Sequence, residues 1–249
     1  MSATATRVEG IPALSRSDAM AFADDEFARW LDALRGLTPE DWAAATECEP
    51  WDVRTMACHV LGATESHSSL REMAHQMRAY RKAKAEPMID AMTALQIRDR
   101  ADLSPAEIVA AFERAAPRSV RARRRMPALV RRMPMKVDPP FNNDGWRLGY
   151  LMDVIYNRDA WMHRVDISRA VGGEMVLTSD HDGRLVADAV AEWSRRHGQP
   201  FALTLTGPAG GAYASGQSGE TLELDAVEFC RILSGRAQGA GLLSTEVPF

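Results

Sequence analysis

The stretch Asp159-Ala160-Trp161-Met162-His163 sets an acid and an imidazole four positions apart. On a helix that spacing stacks two side chains on one face, one turn apart, where both can reach a single divalent ion. The neighbours Ile155, Tyr156 and Met162 make the surroundings apolar, so a charge there needs a partner. His59, about a hundred residues upstream, is the third candidate ligand. It follows Trp51-Asp52-Val53-Arg54-Thr55-Met56-Ala57-Cys58, which reads as the first turns of another helix with Asp52 as its cap. Two histidines and one carboxylate leave a coordination position free, as in catalytic zinc sites.

Each ligand also has a plainer reading. A single histidine on a mixed helix face is more often a hydrogen-bonded core or surface residue, and an Asp-x-x-x-His pair can be a simple surface contact. Asp166 is placed to accept the second ring N–H of His163 and so fix its tautomer; an exposed pair with Arg164 or Arg169 is the alternative. His67 lies eight residues after His59, about 12 Å along one straight helix, too far to share an ion with it. His75 is farther still. His181 sits among Asp180 and Asp182, where capping or surface roles are the default, and His197 reads as a helix C-terminal cation. Cys58 is rotated about 100° from His59 and reads as a packed thiol.

Outward from these residues the apolar periodicity describes a helical bundle. Met20, Phe22, Phe27, Trp30, Leu31 and Leu34 predict a helix from about Asp18 to Leu37, with Ser15 or Ser17 as cap and Gly36 near its end. A second, much longer helix runs from Asp52 into the basic residues Arg78 to Lys84, with Pro87 as its stop. Ser104-Pro105-Ala106-Glu107 is a capping box that opens a third. Arg118 to Pro140, with several prolines and eight basic residues, reads as a connector with at most short helical pieces. The fourth helix spans roughly Trp146 to Val171 and ends at Gly172-Gly173. Four helices with one long crossover make a bundle over residues 1–173.

Residues 174–249 read as a small α+β unit. Thr178 or Ser179 caps a helix that closes at Gly198, and Phe201 to Thr206 alternates as a half-buried strand. Gly207 to Gly211 turn the chain, and Leu222-Glu223-Leu224 leads into a helix from about Asp225 to Leu233.

The bulk composition narrows the function classes. The chain has 249 residues, is 46% hydrophobic and carries a net charge of −4, which argues against a dedicated nucleic-acid binder. Cys48, Cys58 and Cys230 form no C-x-x-C pair and leave an odd count, as in a reducing cytoplasm. No signal-peptide pattern and no window of about 20 apolar residues occurs, so a cytoplasmic protein without a membrane span is expected. Arg118, Arg121, Arg123, Arg124, Arg125, Arg131, Arg132 and Lys136 form a basic run with no acid from Ala115 to Val137. Such a run is usually a solvated face, and can also draw in an anionic substrate or bind nucleic acid.

Trp51-Asp52-Val53-Arg54 with His59, then Asp159 and His163 with Arg164-Val165-Asp166, resembles the mycothiol-dependent maleylpyruvate isomerase family of the DinB-like superfamily. Leu233-Ser234-Gly235-Arg236 and the closing Val247-Pro248-Phe249 are similar to that family's sterol-carrier-like second domain. The resemblance implies a zinc held by His59, Asp159 and His163 at one end of a four-helix bundle, with the low-molecular-weight thiol mycothiol as cosubstrate. It also implies a role for Arg236 in steadying negative charge on the substrate. The family's isomerase commonly has Glu where this chain has Asp159, one methylene shorter.

These residues fit an isomerase or S-transferase in which a metal-bound thiolate adds to a small electrophilic substrate. A hydrolase using metal-bound water and a non-catalytic metal- and ligand-binding protein are the alternatives. The partners expected are the thiol and the electrophile, with no membrane and no nucleic acid; a homodimer is left open.

Overall fold

The structure is a computed structural model that describes residues 5–83, 88–137 and 139–249. The chain forms two compact units. One is Ser15–Glu174; the other joins the segment up to Leu14 with Met175–Phe249. The segment up to Leu14, expected with the bundle, therefore belongs to the α+β unit.

In the bundle unit, α1 (Arg16–Arg35) starts at Ser15, whose hydroxyl accepts from the Asp18 N–H, and stops at Gly36. α2 (Val53–Ser68) is capped by Asp52, whose carboxylate accepts from the Thr55 N–H at 2.7 Å. The single long second helix expected from the sequence is in fact two, because the chain is extended at Ser69 before α3 (Leu70–Ala83) begins. Serine chemistry explains the break. The hydroxyls of Ser66 and Ser68 bond back to the carbonyls of Ala63 and Glu65, and Ser69 Oγ accepts from the Glu72 N–H, so local side chains compete with the ladder and cap the next helix. Pro87, expected to end the helix, lies outside the described residues. A further helix that periodicity did not single out, α4 (Met88–Arg98), follows.

The capping box at Ser104 and Glu107 is present in full and opens α5 (Pro105–Arg125). α5 runs through Pro117 into what was expected to be a connector. Ser119, Val120 and Arg123 beyond that proline are buried, and this packing outweighs a helix penalty of about 3 kcal/mol. Two short turns follow, α6 (Ala128–Arg131) and α7 (Leu148–Tyr150). The expected fourth helix is α7, a π-helical turn over Leu151–Ile155, and α8 (Tyr156–Ala170), with Gly172 beyond its end at φ +64°.

Aromatic packing sets the helices against one another. Trp30 of α1 stacks on Phe112 of α5 at 5.9 Å, and its indole N–H donates to the Ala160 carbonyl of α8 at 2.7 Å. Glu26 of α1 and Arg164 of α8 form a buried two-point ion pair, with N···O distances of 2.6 and 3.0 Å. Among the described residues no helix is long and apolar enough to cross a membrane.

In the α+β unit, a four-stranded sheet has the order β1-β3-β2-β4. β1 is Thr6–Arg7, β2 Phe201–Thr206, β3 Gly211–Ser215 and β4 Glu220–Asp225. β2 runs antiparallel to β3 and parallel to β4, while β1 lies parallel to β3. Leu203 pairs with Tyr213 on one side and Leu222 on the other. α9 (Asp182–His197) and α10 (Ala226–Leu233) cover the sheet, with Trp193 edge-on to Phe201 and Phe229 at 4.7 and 5.4 Å. The N-cap position of α9 falls at His181, which is buried; neither Thr178 nor Ser179 takes it.

Candidate metal centre

α2 presents His59 and α8 presents Asp159 and His163, and in the folded bundle unit the three side chains meet. One oxygen of Asp159, Oδ1, lies 3.8 Å from His59 Nε2 and 3.4 Å from His163 Nε2. One donor atom from each residue falls within 4.8 Å of both others. These separations are long for N–H···O hydrogen bonds, which centre on about 2.9–3.0 Å. The shorter one equals the spacing of neighbouring donors around one cation, about 3.3–3.4 Å for metal bonds of about 2.0–2.1 Å at tetrahedral angles, and the longer one is about 0.4 Å wider. The donor set therefore fits zinc or a similar borderline cation, with three protein ligands and an open position.

Both imidazoles are oriented from behind. His163 Nδ1 is 2.9 Å from Asp166 Oδ2, a fully buried carboxyl oxygen that accepts from the ring N–H. His59 Nδ1 is 2.9 Å from Gln96 Oε1. The Gln96 amide nitrogen donates to Gln76 Oε1 at 2.9 Å, and the Gln76 amide nitrogen donates to the Gly62 carbonyl and to Glu72. That chain assigns oxygen, not nitrogen, to the end of Gln96 facing His59, so each ring donates from Nδ1 and turns Nε2 toward Asp159. Gly62 makes this approach possible, since a Cβ there would lie 2.5 Å from Gln96 Cβ.

Electrostatics favour a ready carboxylate. Burial works against charge on Asp159, but the charge and contacts of His163, with those of His59, outweigh it and hold the carboxyl well below the usual range. Burial likewise opposes an imidazolium at His163, yet Asp159, Asp166 and Cys48 raise it well above the ordinary histidine value. A cation arriving at the site thus displaces a proton from His163. Asp159 keeps 22% of its side-chain surface exposed, so the cluster can be reached.

Two further residues adjoin the cluster. The turn that bridges Ala45 to Asp52 places Cys48 Sγ 3.5 Å from Asp166 Oδ2 and sets the Trp51 ring 5.3 Å from His59 and 6.1 Å from His163. Trp51 forms an apolar wall over both imidazoles. Sequence reading missed Gln96, Gln76 and Cys48. The signal for Gln96 was the helical spacing of Ile89, Met92 and Leu95 beside it; for Cys48 there was none, because only the turn brings it near.

The other sequence candidates lie elsewhere. Asp166 turns to His163, while Arg164 pairs with Glu26 and Arg169 with Glu47 at 2.9 Å. Cys58 is buried, its thiol donates to the Arg100 carbonyl, and burial raises its pKa. His67 packs edge-on to Tyr156 at 4.0 Å. It lines a cavity of about 10 Å³, room for one water, that also touches Asp159. His197 ends α9 against Trp193. Arg236 belongs to the α+β unit, where it is half-buried after Gly235 and its N–H donates to the Arg231 carbonyl.

The chain thus joins a helical bundle, which carries a two-histidine and one-carboxylate cluster, to a small α+β unit. Residues 23–168 match the mycothiol maleylpyruvate isomerase N-terminal domain, and the chain belongs to that family. Two solved structures share the fold. The mycothiol-dependent maleylpyruvate isomerase is 15% identical, with a TM-score of 0.55 over 94% of this chain and 94% of that one. A histidine-to-alanine mutant of that enzyme is 16% identical, with a TM-score of 0.56 over 93% of this chain and 92% of that one. No curated protein matches the sequence.

Proposed function

We propose that this chain is a metal-dependent enzyme that uses mycothiol to isomerise, or to transfer sulfur to, a small electrophilic substrate. The observation that carries the reading is the convergence of His59 Nε2, Asp159 Oδ1 and His163 Nε2 at ligand spacing, in a chain of the mycothiol maleylpyruvate isomerase family. When bound, a zinc-like cation would acidify a thiol entering the open position and make it a nucleophile at neutral pH.

This chain's own residues do the rest. His59, Asp159 and His163 hold the cation; Gln96 and Asp166 orient the two rings; Trp51 shields one side of the cluster from water.

The test is turnover of maleylpyruvate by the zinc-loaded protein, with and without mycothiol. The reading expects turnover only with both metal and thiol, and its loss in Asp159→Ala with the fold kept. Thiol-independent hydrolysis would favour metal-activated water instead, and full activity after complete metal removal would sink the proposal.

A further inference from the structure

The basic run splits in the structure into groups with different surroundings. Arg123 is buried and bonds to the Asn157 side chain and the Met152 carbonyl, and Arg124 pairs on the surface with Asp24. Arg131 and Arg132, by contrast, join Arg147, Ala128 and Gly149 around a cleft of about 550 Å³. That volume lies within the range of small-molecule sites.

The cleft is framed by backbone. Pro134 bridges to Arg147, the Met135 N–H donates to the Trp146 carbonyl at 2.9 Å, and the Leu148 N–H donates to the Met133 carbonyl at 3.0 Å. Arg147 Nη1 donates to the Arg132 carbonyl at 3.0 Å, so these two arginines are held on facing segments before any ligand arrives. Gly149 supplies room: a Cβ there would stand 3.2 Å from the Arg131 carbonyl oxygen and 3.4 Å from its Nη2.

Charge decides the ligand class. Arg131 pairs with Asp153 through Nη2, which leaves its buried Nη1 without a hydrogen-bond partner. Among the described residues neither Arg132 nor Arg147 has a carboxylate partner. Among the described residues, three permanently protonated guanidiniums against one carboxylate leave two positive charges around one cleft, a field that favours an anion there. We propose that this cleft binds a compact organic dianion, gripped by the planar forks of Arg132 and Arg147. A dicarboxylate and a phosphomonoester share that chemistry. Single-stranded nucleic acid is the poorer fit, because the lining has no aromatic ring on which a base could stack. The cleft shares no residue with the metal cluster, and Asp153 precedes Asp159 by six positions, about 9 Å of helix.

Calorimetric titration of the full chain with succinate and with phenyl phosphate tests this. At least one probe should bind, more weakly as salt rises from about 50 to about 200 mM. Arg132→Ala and Arg147→Ala, both at exposed positions, should each weaken it about tenfold or more. Arg118→Ala, on an exposed part of α5 outside the lining, and Asp159→Ala should leave it unchanged. Preference for succinate identifies a dicarboxylate ligand, and preference for phenyl phosphate a phosphomonoester. The proposal is overturned if neither probe binds, if the Arg132→Ala/Arg147→Ala double variant binds as the parent does, or if Asp159→Ala abolishes binding, which would put the anion at the metal centre. An oligothymidylate that binds and resists displacement by both probes would also overturn it and assign the patch to nucleic acid.

Discussion

Gln96→Leu tests the centre through a residue that touches no metal. In the parent, a cation that binds only the folded chain stabilises it by about 2.7 kcal/mol when its free concentration is a hundredfold above Kd. The bundle unit, Ser15–Glu174, falls in the size class where each kcal/mol moves Tm by about 2–4 °C, so zinc should raise Tm by about 5–11 °C. Leucine removes the oxygen that the structure sets 2.9 Å from His59 Nδ1, and it also leaves Gln76 Oε1 without its Gln96 donor. Losing the orientation of a ligating imidazole weakens metal affinity about 10- to 100-fold. At the same zinc concentration the stabilisation then falls to about 0.4–1.4 kcal/mol, and the rise in Tm to about 1–6 °C. The metal-free variant should itself lose about 1–3 kcal/mol, because a buried ring N–H has no partner. Differential scanning fluorimetry with a zinc titration reads both effects. An undiminished zinc-induced rise in Gln96→Leu would refute the orienting role; no rise in the parent would refute the metal centre itself.

Other consequences can be checked separately. Asp159→Ala, His59→Ala and His163→Ala should each lower bound metal measured by elemental analysis, and unchanged metal content in all three would remove the site. Glu26→Gln removes the charge from a buried ion pair with Arg164 and should cost about 3–5 kcal/mol in urea unfolding, with Glu26→Ala no milder. His67 gives a pH signature: burial first, then the Arg123 charge, lower its pKa from the ordinary histidine value of 6.5 to about 3. The unfolded chain thus binds a proton that the folded chain refuses. Its contribution is intact above about pH 6.5 and drains away as pH falls toward 3, at up to about 1.4 kcal/mol per pH unit. His67→Gln should flatten that part of the stability profile, and an unchanged acid limb would show that His67 is solvated.

Local chemistry made much of the fold legible. Ser15, Asp52, Ser104 and Asp225 cap helices through contacts spanning three residues or fewer, and Gly198 closes α9 in the left-handed conformation that glycine adopts freely. The alternation of Phe201 to Thr206 shows directly as β2, buried at every second residue. What failed depended on distant packing. Pro117 does not end α5, because residues beyond it bury against the bundle; the short β1 has no period to detect and exists only by pairing with β3.

The same division runs through the candidate site. Sequence alone put Asp159 and His163 on one helical face, since a four-residue spacing fixes their relation whatever the rest of the chain does, and it singled out His59 as the third partner. Only tertiary structure could bring α2 to α8 so that the three donor atoms meet, seat Gln96 against Gly62 to turn one ring, and fold the Ala45–Asp52 turn so that Cys48 and Trp51 close around it. Spacing along one helix is set by covalent geometry and a single repeat, whereas the distance between two helices is set by every side chain packed between them.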